Sequence, residues 1–395
     1  MEPAQGQVDY GLAGIRMKRL LFITSSYNIY PAEKRFSEKF RYLSRNFTGH
    51  FLGIVPSREF KDHKMYNFTL NGLYLPRYLR FNTLLRNLLR PTMLTAKALY
   101  IYYFKERYDV VVALDPLAAG FIGLIVSRLT GARMVIEVGG NFESSFRFSA
   151  ERQSLQMKIK EQITKLVLPF MLNRADGVKL VYKTQLRNFK ALKDYPEKYF
   201  DFANLVPLSL FSGGDVAVKY ILFLGFPWYL KGVDILIMAF NKISGEFPDY
   251  TLKIVGHCPD KSFFEKLVNG NKRIELCDAV WHEDAVKLMD GCSLFVLPSR
   301  TDSLPRVLRE AMAARKPIIA SDVDGIPTIV SHGYNGLLFK SEDVDDLAEK
   351  MRKVLGDDSY AQRLAQNGYE YVHANLSEEN YIDNYVKMIE KVING

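Results

Sequence analysis

The chain has 395 residues, 48% of them hydrophobic and 25% charged, with a formal net charge of +9. That length exceeds one ordinary hydrophobic core and divides naturally into two domains of roughly 200 residues or fewer. No stretch reaches the roughly 20 uninterrupted apolar residues that a membrane span needs, which excludes a chain built around spanning helices.

Residues 1–16, MEPAQGQVDYGLAGIR, read as a flexible extension without the apolar core of a cleavable leader, and MKRLLFITSS (17–26) reads as the first strand. Between His63 and Lys105 stand seven basic residues and no acidic one, interleaved with Leu84, Leu85, Leu88, Leu89, Tyr100, Tyr102, Tyr103 and Phe104. YDVVVALDPLAAGFIGLIVSRLTGARMVIEVGGNFE (108–143) reads as strand, Asp-Pro turn, helix, strand and glycine turn. LQMKIKEQITKLVLPFML (155–172) is a helix candidate with Lys158, Lys160 and Lys165 beside a stripe of Leu155, Ile159, Ile163, Leu166 and Phe170. Charge divides the chain: residues 1–200 carry 32 Lys and Arg against 16 Asp and Glu, and the remainder carries 21 against 28. A basic amphipathic surface suits an anionic membrane or a lipid-linked phosphate. The alternative for both segments is an ordinary amphipathic helix whose stripe lies in the core. No nucleic-acid motif accompanies the charge, so nucleic acid is not expected as a partner.

A domain linker is expected at 205–219, where a proline and a Gly-Gly pair interrupt the pattern. YILFLGFPWYLKGVDILIMAFNKI (220–243) reads as a strand, a glycine turn and an amphipathic helix, followed by the strand YTLKIVG (250–256). SLFVLPS (293–299) has strand length, RTDSLP (300–305) is a polar turn, and RVLREAMAA (306–314) has helical apolar spacing. Pro305 suits the first turn of that helix. The backbone N–H groups of Ser303, Leu304, Arg306 and Val307, with the positive end of the helix dipole behind them, make a ready phosphate site. Asp302 stands at its mouth and Glu310 about one and a half turns in. KPIIAS (316–321) returns as a strand, so ligands should gather at the carboxyl ends of these strands. The tail at 369–393 is helical in pattern, and Cys258, Cys277 and Cys292 lack metal-ligand spacing, read as core residues and fit a reducing cytoplasm.

The string PSRTDSLPRVLREAMAARKP, with DGIP (324–327) and GYNGLL (333–338), resembles the group 1 family of retaining glycosyltransferases with the GT-B fold, whose hallmark is Glu, seven residues, Glu. The resemblance implies an α/β GT-B fold: two doubly wound Rossmann-like domains facing a central cleft, with a C-terminal helix crossing back to the N-terminal domain. The domains implied are an acceptor-binding domain at 17–204, a nucleotide-sugar-binding domain at 220–370 and a crossover helix at 371–395. By resemblance Glu310 holds the nucleotide ribose, the turn Ser303-Leu304-Pro305-Arg306-Val307 binds the donor's sugar and diphosphate, Gly225 and Gly256 end donor-side strands, and Lys231 neutralises the diphosphate. Asp302 stands where the family has its first Glu, Arg315 where it has Gly, and Phe226 where it has Arg. The missing phosphate cation is expected from Arg300 or Arg306. On the acceptor side the family has a Gly-Gly turn where this chain has Ser25, Ser26 and Tyr27, and often a His where Gly139 stands in the Gly139-Gly140-Asn141 turn; Asp115 is then the remaining candidate base, although its Asp-Pro turn also reads as structural.

The activity implied is transfer of a sugar from a UDP- or GDP-sugar to a glycan or lipid-linked acceptor with retention, in polysaccharide or glycoconjugate biosynthesis, in the cytoplasm or at the cytoplasmic membrane face. Lys231, Asp302 and Glu310 would carry it, without a metal. The pair Asp322-x-Asp324 copies a metal-binding D-x-D, but it falls where the family has a glycine turn. A catalytically silent nucleotide-sugar-binding subunit and a sugar-nucleotide epimerase are the alternatives. The shortage of histidines weighs against the epimerase.

Overall fold

A computed structural model of the chain describes residues 16–25, 34–75, 83–140, 155–186, 196–212 and 219–395. The chain gathers into two compact units, one from Met1–Glu137, Met171–Val178 and Tyr385–Gly395, the other from Val138–Phe170 and Lys179–Asn384.

The first unit is built on β1 (Lys18–Ile23), α1 (Lys34–Leu43), β2 (Phe47–Ile54), β3 (Asp62–Met65), β4 (Phe68–Leu73), α2 (Thr83–Tyr100), β5 (Val110–Ala113), α3 (Ala118–Thr130) and β6 (Arg133–Val138). α4 (Leu155–Arg174) and β7 (Gly177–Leu180) are each divided between the two units, and β8 (Tyr199–Asp201) belongs to the second. The eight strands form one sheet in the order β3-β4-β2-β1-β5-β6-β7-β8. β4, β2, β1, β5 and β6 pair in parallel, and β3 runs antiparallel to β4 at the edge. Parallel strands are covered on both faces, so they read as unbroken apolar runs rather than alternations. Leu20 to Ile23 and Val110 to Ala113 are all completely buried.

The second unit carries β9 (Tyr220–Leu224), α5 (Val233–Ile243), β10 (Thr251–Val255), α6 (Ser262–Val268), β11 (Ile274–Cys277), α7 (His282–Gly291), β12 (Leu294–Leu297), α8 (Arg306–Ala313), β13 (Ile318–Ser321) and β14 (Leu337–Phe339). The helices α9 (Val344–Leu355), α10 (Asp358–Asn375) and α11 (Glu378–Asn394) follow. Its six strands are ordered β11-β10-β9-β12-β13-β14, all in parallel. The order reverses between β9, from which the chain moves to β10, and β12, which lies on the other side of β9. Open α/β sheets bind ligands in the crevice beyond the strands' carboxyl ends at such a switch point.

The helical tail is not continuous. It breaks at Leu376-Ser377, where the Ser377 hydroxyl accepts the Asn380 N–H at 3.2 Å as a fresh cap. The last turns of α11 belong to the first unit: Tyr385 is fully buried there, donates to Glu137 at 2.8 Å and packs its ring 6.3 Å from that of Phe22. The cysteine expectation holds for Cys292, which is buried and whose thiol pKa burial pushes up to about 12, while Cys258 and Cys277 are only half-buried. Among the described residues no helix is long and apolar enough to cross a membrane.

Candidate active site

Two turns meet at the carboxyl ends of β9 and β12. The first, Gly225 to Gly232, must bring its backbone against the end of β12. A side chain at Gly232 would put a Cβ 1.9 Å from the Pro298 carbonyl, and its φ of 70° is also one that glycine tolerates best. This contact aims the preceding residue, Lys231, at the second turn. Its ammonium lies 2.5 Å from a carboxylate oxygen of Asp302, with both side chains largely buried. Ser299 donates to the same oxygen at 3.4 Å.

The second turn, 300–305, is clamped from three sides. Asp324 accepts from the Thr301 hydroxyl and, at 3.1 Å, from the Asp302 N–H. Gly325 approaches so closely that a Cβ there would overlap the Ser303 carbonyl at 1.6 Å. Ser321 donates to the Ser299 carbonyl at 2.6 Å. The turn ends at Pro305, and no side chain caps the helix α8 that follows. Its first-turn N–H groups therefore keep the partial positive charge that favours a phosphate. One and a half turns on, Glu310 is largely buried with a carboxylate oxygen 3.8 Å from the Arg306 guanidinium. Lys231, Asp302, Glu310 and the Ser303–Val307 turn are thus assembled in one unit around one strand end. Gly256 closes the neighbouring strand against Gly225, where a Cβ would stand 2.0 Å from the Gly225 carbonyl.

Arg300 requires a correction. It was expected as a substitute phosphate cation, but its guanidinium is spent within the scaffold. Two nitrogens bind the Asp234 carboxylate at 2.8 and 2.7 Å, Nε binds Glu342 at 3.1 Å, Nη1 also reaches the Tyr229 carbonyl, and the group lies 4.1 Å from the Tyr229 ring centre. Burial opposes its charge most, yet the hydrogen bonds and charge of Asp234 together with the Glu342 hydrogen bond and Tyr229 outweigh it and hold the pKa above the ordinary value. Arg306, at the first position of α8, is the arginine that stays beside Glu310. Phe226, in the position of the family's arginine, is 64% exposed.

Asp234, Ser299, Thr301 and Asp324 were not anticipated as supports of the site. Asp234 follows Lys231 by three residues on α5, but its partner lies 66 residues away, and no spacing rule announces such a pair. Arg309 was also missed. It is 1% exposed, its Nη1 donates to the Asn204 carbonyl, and burial pushes its pKa down to about 9.

The residues expected on the acceptor side are distributed differently. In the first unit Ser25 donates to Asp115 at 2.8 Å. Asp115 itself accepts from the N–H groups of Leu117 at 3.0 Å and Ala119 at 3.1 Å, so its carboxylate serves the start of α3. Gly139 and Gly140 lie in the second unit, where the Gly139 carbonyl accepts from Ser303 Oγ at 3.1 Å and the Gly140 carbonyl from Gln185 at 2.9 Å. Ser26 and Asn141 lie outside the described residues. Among the described residues no group of three or more His, Cys, Asp or Glu is arranged to hold a metal ion. A separate cavity of about 730 Å³, lined by Arg16, Arg19, His50, Lys105, Glu106 and Arg107, sits at the strand starts of the first unit. Arg19 there is already matched by Glu106 at 2.9 Å, and that edge is the wrong end of a parallel sheet for a ligand.

Residues 215–371 match the sequence family described as glycosyl transferases group 1. An uncharacterized glycosyltransferase of Methanocaldococcus jannaschii is 34% identical over 167 residues, 41% of this chain and 45% of that protein. An N,N'-diacetylbacillosaminyl-diphospho-undecaprenol alpha-1,3-N-acetylgalactosaminyltransferase of Campylobacter jejuni is 36% identical over 111 residues, 28% of this chain and 29% of that protein. The chain therefore spans less than half the length of either relative. Among solved structures, HepE of Anabaena in complex with UDP and glucose superposes with a TM-score of 0.70 at 19% identity, covering 95% of this chain and 100% of that one. That likeness, with two parallel-sheet Rossmann-like units, establishes the GT-B fold.

Proposed function

We propose that the protein is a group 1 glycosyltransferase that moves a sugar from a nucleotide-sugar donor to a glycan or lipid-linked acceptor with retention of anomeric configuration. The observation that carries this reading is the pairing of Lys231 with Asp302 at the uncapped N-terminus of α8, with Glu310 behind it. A departing nucleoside diphosphate develops negative charge, and preorganised donors aimed at that charge are worth most in a site with little water. Lys231 and the N–H groups of Ser303, Leu304, Arg306 and Val307 would supply those donors. Asp302 would orient the sugar hydroxyls, and Glu310 would accept hydrogen bonds from the ribose.

In the same-face reaction the bond from the anomeric carbon to the diphosphate oxygen breaks with its electron pair going to the diphosphate. The acceptor hydroxyl oxygen bonds to that carbon on the same face, and its proton passes to the departing diphosphate oxygen. Such a step needs no strong protein base, and it accommodates Asp115 being committed to the start of α3. The UDP complex of HepE favours uridine as the base, and the Campylobacter relative's name favours a lipid-linked acceptor. We further propose that turnover is metal-independent, because Asp324 of the D-x-D pair is engaged with Thr301 and the Asp302 N–H.

The test is a thermal-shift panel of UDP-, GDP-, ADP- and CMP-sugars in the presence of a chelator, with wild type beside Glu310→Ala. One base class should raise the melting temperature of wild type and lose its effect in the variant. No shift with any nucleotide sugar would remove the donor site, and a shift that needs a divalent ion would remove the metal-independent step.

A further inference from the structure

The helix α4 has two apolar faces, and only one of them is used. Thr164, Leu168, Met171 and Leu172 are buried at 3% exposure or less. On the opposite face Leu155 is 73% exposed, Ile159 50%, Ile163 55%, Leu166 78% and Phe170 45%. At 100° per residue these five fall in one band along the helix, about 22 Å long at 1.5 Å per residue. This is the stripe that would lie in the core of an ordinary amphipathic helix, and the structure turns it to solvent. Single exposed apolar residues are normal on a protein surface, but a continuous band of large ones marks an interaction site.

The charges beside the band are of one sign. Lys158 and Lys165 project on one flank and Lys160 on the other, all exposed, and Arg174 follows at the end of the helix. Glu161 is the helix's one acidic residue and is paired with Lys165 at 2.6 Å. A protein partner would ordinarily place acidic and apolar groups opposite such a face, but the composition here repeats that of a helix lying in a lipid interface: apolar on one side, lysines along its edges and no free carboxylate among them. The larger charge pattern agrees, because residues 1–200 hold a twofold excess of Lys and Arg over Asp and Glu.

We propose that the exposed face of α4 docks on an anionic lipid surface, with Leu155, Ile159, Ile163, Leu166 and Phe170 entering the acyl boundary and Lys158, Lys160 and Lys165 contacting lipid phosphates. This proposal goes beyond the transferase reading and does not depend on it, since it concerns a surface rather than the donor site. Attraction of lysines to anionic headgroups is worth about fivefold in binding per residue and fades with salt over a Debye length of about 10 Å at 0.1 M. Burying a leucine side chain adds about tenfold or more.

The experiment is flotation of the full chain with vesicles of phosphatidylcholine alone and of equal parts phosphatidylcholine and phosphatidylglycerol, together with sedimentation velocity without lipid. Wild type should bind the anionic vesicles, lose that binding as salt rises and bind the neutral ones weakly. Ile159→Glu combined with Leu166→Glu should reduce anionic binding by about a hundredfold, and Lys158→Gln with Lys160→Gln and Lys165→Gln should reduce it by a similar amount. Trp281→Glu, which removes an 82% exposed aromatic on another surface, should leave it unchanged. All these side chains are exposed, so the variants should keep the wild-type melting temperature. Absence of wild-type binding, equal binding by the Ile159/Leu166 variant, or equal weakening by Trp281→Glu would overturn the proposal. So would a wild-type dimer that dissociates on Ile159→Glu and Leu166→Glu without any vesicle binding, because the band would then be covered by a second copy of the chain.

Discussion

In the first unit the strand β5 runs into the turn Asp115-Pro116 and then into α3; in the second the strand β12 runs into the turn that holds Asp302 and Pro305 and then into α8. Asp115 turns back on its own helix and accepts two of its orphan N–H groups, so that helix end is satisfied from within. Asp302 turns away from its helix toward Lys231, and α8 begins with no side-chain cap. Helix starts leave four N–H groups without partners, and these must find side chains, water or a ligand. The difference teaches how one architecture makes a self-capped turn or an uncapped one, the latter the proposed binding turn, by the direction of one carboxylate. Substitutions at three positions test that contrast.

The largest effect is expected under the binding turn. Arg300 and Asp234 are both less than a tenth exposed and make a two-pronged ion pair that fixes where the turn 300–305 begins. Removing one member of a buried pair leaves the other charge without compensation and costs about 3–5 kcal/mol. Asp234→Ala should therefore lower unfolding stability in urea by about that amount, while Asp234→Asn, which keeps one acceptor for the guanidinium, should lose less. A loss under about 1 kcal/mol for Asp234→Ala would mean that Glu342 and the Tyr229 carbonyl hold Arg300 without it.

Much of the binding turn was legible in the sequence because strand, turn and helix are local patterns. The apolar run SLFVLPS, the polar RTDSLP and the helical spacing of RVLREAMAA became β12, the clamped turn and α8 almost where expected. Lys231 and Asp302 could be named separately, but their 2.5 Å contact joins residues 71 apart and depends on Gly232 reaching Pro298. Arg300 was misread for the same reason: nothing near it in the chain announces Asp234. Arg309 looks like a surface residue of an amphipathic helix and is instead buried against Asn204, because tertiary packing overrides the local pattern. The sequence left the α4 stripe open between a core face and an exposed one, since its periodicity shows which residues share a face and not whether anything covers it, and the structure leaves it exposed.

Lys231→Ala addresses the binding turn's chemistry. The substitution removes the cation at the turn and frees Asp302, so two effects must be separated. If Lys231 stabilises the leaving diphosphate, turnover should fall by about a hundred- to a thousandfold, the range for losing one preorganised donor at a developing charge. The affinity for nucleotide sugar should change far less, because the charge Lys231 meets grows mainly in the transition state. Kinetics with the donor found in the thermal-shift panel give both numbers. A rise in KM with unchanged kcat would make Lys231 a binding residue only, and unchanged values of both would leave its pairing with Asp302 purely structural.

The self-capped turn supplies the smallest and most discriminating test. Asp115 can be read as a base for the acceptor or as the residue that satisfies the start of α3, and Asn separates the two. Asparagine keeps an acceptor oxygen where the Leu117 and Ala119 N–H groups share one carboxylate oxygen, and puts an amide N–H where the other oxygen accepts from Ser25, whose hydroxyl can then accept instead of donate; Asn and Asp are nearly equivalent at helix starts. It cannot take a proton. Asp115→Asn should therefore stay within about 0.5 kcal/mol of wild-type stability and keep its turnover, whereas Asp115→Ala should lose about 0.5–2 kcal/mol with the orphaned N–H groups. The difference between the variants isolates the hydrogen bonds, because both remove the negative charge at the positive end of α3. Turnover lost in Asp115→Asn with stability intact would mean that the carboxylate at the end of β5 does chemistry, and the two turns would then be alike.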